Sequence, residues 1–126
     1  MRLATAAKSR ASYVFIRSAL VRHFSCDIAA TAEIAGAIYL PHPIGIVVGA
    51  GVKVGNGARI YQGVTIGMGR GGYPTLGEGV TVLPNSVVVG GISLGDRSRV
   101  AAGAFVDADV PPGATVGRVQ GGRGLA

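Results

Sequence analysis

From residue 28 onward, aliphatic side chains return every six positions: Ile28, Ile34 and Leu40, then Val48, Val54, Ile60 and Ile66, then Leu76, Val82, Val88, Leu94, Val100 and Val106. Neither the 3.6-residue period of an amphipathic helix nor the two-residue period of a half-buried strand generates this spacing. Four residues after most of these positions stands a second small or aliphatic residue, as at Ala32, Val52, Ala58, Val64, Val80, Ser86, Ile92, Ser98, Ala104 and Val110. A short fixed repeat of this kind marks a parallel β-helix, each repeat giving one strand and one corner. Three repeats close a triangular turn, turns stack at about 4.8 Å, and the recurring aliphatics line up as interior ladders. Glycine follows several of them, at Gly49, Gly55, Gly67, Gly77 and Gly95. The expectation is that these corners need positive φ.

A narrow prism filled by Val, Ile, Leu and Ala has no room for large rings, which accounts for a chain that is 48% hydrophobic yet only 6% aromatic and without Trp. The 22 glycines follow no Gly-X-Y period and only six prolines are present, so collagen is excluded, and the aliphatic content excludes disorder. The single Cys26 permits neither an intramolecular disulfide framework nor a thiolate zinc cluster, so the cytoplasm is the expected compartment. No apolar run approaches the length of a membrane span.

The net charge of +6 is local. Arg2, Lys8, Arg10, Arg17 and Arg22 precede Cys26 with no acid among them, whereas seven basic and six acidic residues follow. A nucleic-acid-binding domain would spread Lys and Arg over its folded body, so no nucleic-acid partner is expected. Residues 8 to 24 read as a short helix, with Tyr13, Ile16, Leu20 and Phe24 at three- and four-residue steps. Its favoured role is a cap on the open end of the coil; contact with anionic membrane lipid is the competing reading. The expected organisation is a basic helical segment over 1–26, the β-helix over 27–117 and a flexible tail over 118–126.

Two breaks interrupt the period. Leu40 to Val48 carries two extra residues, around Pro41-His42-Pro43-Ile44-Gly45, and Ile66 to Leu76 carries four, within Gly67-Met68-Gly69-Arg70-Gly71-Gly72-Tyr73-Pro74-Thr75. A solenoid extrudes insertions as loops, and such loops often carry function. His42 sits in the first, stiffened by a proline on each side. An imidazole titrates near neutrality and accepts a proton from a hydroxyl without an unusual environment.

The run from Cys26-Asp27-Ile28 to Leu40-Pro41-His42-Pro43-Ile44-Gly45-Ile46-Val47-Val48-Gly49, then Ile60-Tyr61-Gln62-Gly63-Val64-Thr65-Ile66-Gly67, resembles the serine O-acetyltransferase family of hexapeptide-repeat acyltransferases. So does the ending Ala102-Gly103-Ala104-Phe105-Val106 with Asp109-Val110-Pro111-Pro112-Gly113. The resemblance covers residues 26 to 117. It implies an all-β, left-handed parallel β-helix with a short N-terminal helix, assembled as a homotrimer, that transfers acetyl from acetyl-CoA to a hydroxyl with no metal and no covalent enzyme intermediate. It makes His42 the general base and Asp27 the carboxylate that orients the imidazole and stabilises its protonated form, a helix cap being the plainer reading of Asp27. It places Gly67, Pro84 and Ala102 along the pantetheine arm, Arg70 and Arg118 near the CoA phosphates, and Pro41 and Tyr73 at the acceptor.

The chain departs from that family at four points. Pro41 stands where the family has an aspartate before the histidine, and Gly72-Tyr73-Pro74 where it has Arg-His-Pro. Arg118-Val119-Gln120 replaces an Asn-Pro-Ala-Arg stretch, and a large helical N-terminal domain is reduced to one short helix. The pocket for a zwitterionic amino acid is therefore incomplete, and a hydroxyl of a sugar, polysaccharide or secondary metabolite competes with serine as acceptor. A zinc enzyme on the same coil would need three histidines, and only His42 lies in the repeats. A non-catalytic scaffold or ice-binding surface would need flat threonine ladders, whereas Thr31, Thr65, Thr75, Thr81 and Thr115 are scattered.

Overall fold

The computed structural model of the chain describes residues 2–4, 22 and 24–117. The helix expected over 8–24 lies outside the described residues apart from Arg22 and Phe24, and the tail over 118–126 lies outside them altogether. The described part is a parallel β-solenoid with fifteen short strands.

Three sheets form its walls. The first wall stacks β2 (Asp27–Ile28), β5 (Val47–Val48), β8 (Thr65–Gly67), β11 (Val87–Val89) and β14 (Phe105–Val106). The second stacks β3 (Glu33–Ile34), β6 (Lys53–Val54), β9 (Thr75–Leu76) and β12 (Ser93–Leu94). The third stacks β4 (Ala37–Tyr39), β7 (Ala58–Ile60), β10 (Thr81–Val82), β13 (Arg99–Val100) and β15 (Thr115–Val116). All these pairs are parallel. The exception is β1 (Arg2–Ala4), which runs antiparallel along β4 with Arg2 opposite Tyr39 and so covers the open edge of the third wall. No period announces this three-residue strand. Its effect is to pair backbone groups that an edge strand otherwise leaves open.

The six-residue ladders are the interior. Ile28, Val48, Ile66, Val88 and Val106 stack in the first wall, and Ile60, Val82, Val100 and Val116 in the third. The residues two positions earlier form a second interior ladder per wall. In the first wall it is Cys26, Ile46, Val64, Ser86 and Ala104, all buried. Removing each such aliphatic side chain from water contributes roughly 1.5–3 kcal/mol before chain entropy is counted.

Both insertions fall where the ladder spacing places them. Asp27 pairs with Val47, twenty residues on, and Thr65 with Val87, twenty-two on, while Val47 to Thr65 and Val87 to Phe105 are plain eighteen-residue coils. A third irregularity is a deletion: Leu94 bridges to Val110 and Arg99 pairs with Thr115, each sixteen residues on. Val110 therefore continues the main ladder of the second wall, not the ladder of residues four positions later. Its spacing of four from Val106 is that of the second ladder, and only the loss of two corner residues places it in the main one.

The glycines after the ladder positions have a different cause from the one expected. Gly49, Gly55, Gly67, Gly77 and Gly95 are absent from the positive-φ positions. Left-handed backbone occurs instead two residues later or at the opposite corner, as at Gly57, Gly79, Arg97 and Gly113 in one column and Ser25, Gly45, Gly63, Asn85 and Gly103 in another. At Gly55 and Gly77 the requirement is space: an added Cβ would run into the backbone of Gly77 in one case and into Asp96 of the next coil in the other.

Outward residues differ by wall. The second shows Glu33, Lys53, Thr75 and Ser93, and the third Tyr39, Arg59, Thr81, Arg99 and Thr115, with the Arg59 guanidinium 5.3 Å above the Tyr39 ring. The first shows Asp27, Val47, Thr65, Val87 and Phe105, and Val47 and Phe105 are 41% and 67% exposed. Among the described residues no helix is long and apolar enough to cross a membrane.

Candidate functional site

The two-residue insertion extrudes residues 41–45 at the corner joining the third wall to the first. Backbone bonds fix this loop from three sides. The Ile44 N–H donates to the His42 carbonyl at 2.8 Å, a tight turn around Pro43, whose ring-locked φ suits it. The Gly45 N–H reaches down to the Phe24 carbonyl at 3.4 Å, and the Gly63 N–H of the coil above donates to the Ile44 carbonyl at 2.9 Å. Pro41 and Pro43 are half-buried, and His42 between them is exposed. The histidine is thus presented to solvent on a backbone held by its neighbours.

Asp27 enters the same corner from the coil below. Its N–H donates to the Ile46 carbonyl at 2.8 Å, four residues beyond His42, and its own position is stacked against Val47. Above the histidine loop the corner continues as a column: Asn85 N–H donates to the Gln62 carbonyl and Gly103 N–H to the Pro84 carbonyl. Ile44, Gln62, Pro84 and Ala102 therefore follow one another up the edge, a coil apart at about 4.8 Å each. Pro84 and Ala102, both chosen from the sequence, lie on the edge that carries His42.

The four-residue insertion occupies the opposite edge of the first wall. Gly69 and Gly72 exchange backbone hydrogen bonds of 2.9 and 3.2 Å, putting Arg70 and Gly71 at the tip of a minute hairpin whose Gly71 and Gly72 have φ of 82° and 123°. Gly91 N–H donates to the Arg70 carbonyl at 2.9 Å, so the loop lies against the next coil, and a Cβ on Gly69 would come within 2.8 Å of the Gly90 nitrogen. The Arg70 side chain is exposed. Tyr73 folds back over Gly49 and Gly51 of the coil below, where any Cβ would meet its ring, and packs on the core.

Within one chain, then, Pro41, His42, Pro84 and Ala102 share one edge, Asp27 stands on the first wall beside it, and Gly67, Arg70 and Tyr73 lie at the other edge. Pro41 and Tyr73, both expected at the acceptor, stand apart, and Tyr73 works as a packing cover. Arg118 lies outside the described residues. Sequence reasoning passed over Tyr61, whose ring centroid is 6.4 Å from that of His42 with the planes tilted by 48°. The signal was available: a twenty-residue coil that stacks Tyr39 under Arg59 puts position 61 over position 41. An open groove of about 520 Å³ on the second wall, lined by Ile34, Val54 and Leu76 with Glu33 and Lys53, is remote from this edge and its only charged pair is a solvent-exposed contact of 4.0 Å. Among the described residues no three His, Cys, Asp or Glu side chains gather as a metal site.

Comparison with known proteins agrees with this architecture. Residues 73–108 match the family described as bacterial transferase hexapeptide, six repeats. A serine acetyltransferase of Helicobacter pylori is 37% identical over 122 residues, covering 90% of this chain and 71% of that protein. One from Mycobacterium tuberculosis is 37% identical over 99 residues, covering 75% of this chain and 43% of its own length. A solved serine acetyltransferase in complex with CoA superposes with a TM-score of 0.75 at 31% identity, covering 84% of this chain and 44% of that one. The chain thus spans less than half of two of these proteins. The chain belongs to the serine acetyltransferase family of hexapeptide-repeat proteins.

Proposed function

We propose that this protein is an acetyl-CoA-dependent O-acetyltransferase of the serine acetyltransferase type, with His42 as general base. The observation that carries the reading is the exposed histidine on a loop fixed from both neighbouring coils, at the foot of an edge that continues through Pro84 and Ala102. The relative solved with CoA supports CoA as the acyl carrier. One imidazole nitrogen takes the proton of the acceptor hydroxyl while its oxygen attacks the thioester carbonyl. The tetrahedral intermediate collapses, the carbon–sulfur bond breaks, and the imidazolium returns the proton to the departing CoA thiolate. Asp27 is the carboxylate that holds the other ring nitrogen and balances the imidazolium charge. The developing oxyanion takes a backbone N–H of the glycine loop.

The reading extends to a homotrimer and a left-handed coil. The first wall is the face with apolar outward residues, and Ile44 and Met68 beside it are 64% and 69% exposed. Three copies packed by that wall around an axis bury it, and the histidine edge of one copy then meets the glycine-loop edge of the next. Gly67 and Arg70 join the CoA site in that way, together with Arg118. The enzyme works in the cytoplasm.

A sugar hydroxyl is the second acceptor reading. Pro41 offers no carboxylate to an ammonium group, and Tyr73 is committed to Gly49 and Gly51, so neither is free to hold a zwitterion. Release of CoA thiol from acetyl-CoA, measured against L-serine, L-homoserine and a panel of sugars, distinguishes the two. His42→Asn is expected to lower turnover by a factor of about 10²–10⁴ with the accepted substrate, and full activity in that variant would overturn the assignment.

A further inference from the structure

His42 has a fixed backbone but an exposed ring, and catalysis by a general base needs the ring itself in place, because an error of about 1 Å at the reacting atoms costs on the order of a hundredfold. Tyr61 supplies the one aromatic neighbour that the described residues offer it, at 6.4 Å between centroids and 48° between planes, within the range where tilted aromatic pairs attract. The backbone of Tyr61 is itself held in place. It follows Ile60, which is fully buried, and its N–H donates to the Val82 carbonyl of the coil above at 3.0 Å. The insertion pushes His42 outward from the prism, and the coil above, which has no insertion at this corner, places a ring beside it.

We propose that Tyr61 is a positioning residue: its ring restricts the rotation of the His42 imidazole and keeps the basic nitrogen aimed along the edge that carries Pro84 and Ala102. The proposal rests on His42 being the base and says what orients it from the side opposite the coil that bears Asp27. Nothing in it requires the phenol hydroxyl, so Tyr61→Phe retains the function and Tyr61→Leu loses it. Leucine is a fair replacement for folding, since Leu83 occupies the same column one coil higher, its N–H on the Val100 carbonyl.

Three variants, Tyr61→Leu, Tyr61→Phe and His42→Asn, decide the matter by two readouts. In proton NMR the His42 ring resonances, identified by their loss in His42→Asn, carry the ring-current displacement of a neighbouring aromatic; they are expected to move toward free-histidine positions in Tyr61→Leu and to stay in Tyr61→Phe. In the thiol-release assay with acetyl-CoA and the accepted substrate, Tyr61→Leu is expected to lower kcat by about tenfold with KM for acetyl-CoA unchanged, and Tyr61→Phe to restore it. Unmoved resonances, or an unchanged kcat in Tyr61→Leu, overturn the proposal while leaving His42 as base. Full turnover in His42→Asn removes the base itself, and the positioning role with it.

Discussion

Two buried serines show how much one hydroxyl matters in so narrow a core. Ser86 and Ser98 are both fully buried in the inner ladders. The Ser86 hydroxyl lies within hydrogen-bond reach of the Leu83 and Ala101 carbonyls, whereas the Ser98 hydroxyl meets no partner. An unsatisfied buried polar group costs about 1–3 kcal/mol, and a satisfied one contributes about 1 kcal/mol. Ser98→Ala is therefore expected to stabilise the protein by about 1 kcal/mol and Ser86→Ala to destabilise it by about the same, as read from urea unfolding midpoints. If both substitutions moved the midpoint in one direction, the pairing would not be what separates them. From the sequence the two serines are indistinguishable, each standing four residues after a ladder valine or leucine; the difference depends on which carbonyl the neighbouring corner turns inward.

At the scale of strands and corners, the ladders and the two insertions were legible because a solenoid converts sequence distance directly into stacking. The count of residues between buried positions is the length of the coil. What the count does not carry is the reason for each corner residue. Gly77 and Gly67 occupy the same place in the repeat, yet a Cβ on Gly77 would lie 2.8 Å from the Asp96 nitrogen while one on Gly67 meets nothing within 4 Å. Gly77→Ala is expected to cost about 1–3 kcal/mol by overpacking, and Gly67→Ala to leave the thermal midpoint nearly unchanged. If CoA runs past Gly67 in the assembled enzyme, the second substitution instead raises KM for acetyl-CoA, so calorimetry and kinetics on the two variants separate a packing glycine from one that clears a ligand. The shortened corner before Val110 and the antiparallel strand Arg2–Ala4 escaped the count, the first because two interior ladders accept valine, the second because it lies outside the period.

At the scale of the molecule, the first wall, whose outward residues include Val47, Val87 and Phe105, is the surface on which the proposed trimer rests. Phe105→Glu places a charge on the exposed end of that wall without touching the interior, since the Phe105 side chain points away from the core and Val106 toward it. If the chain assembles as the proposed trimer, the substitution is expected to convert it to single chains by light scattering while the β-sheet circular dichroism signal persists, and to abolish turnover if the site needs a neighbour's glycine loop. A particle of unchanged mass would exclude this wall as the interface. By itself the sequence determined the coil, its interior ladders and the two loops, because all of these depend on spacing along the chain, and it nominated His42 by chemistry and position. Only the stacking of coils decided which residues share an edge: that Tyr61 stands beside His42, that Pro84 and Ala102 rise above it, that Tyr73 is spent on Gly49 and Gly51, and that Val47, Val87 and Phe105 make one face. The physical reason is that these neighbours are about twenty residues apart or more and meet through backbone hydrogen bonds between coils, whose register is set by every insertion and deletion at the corners between them.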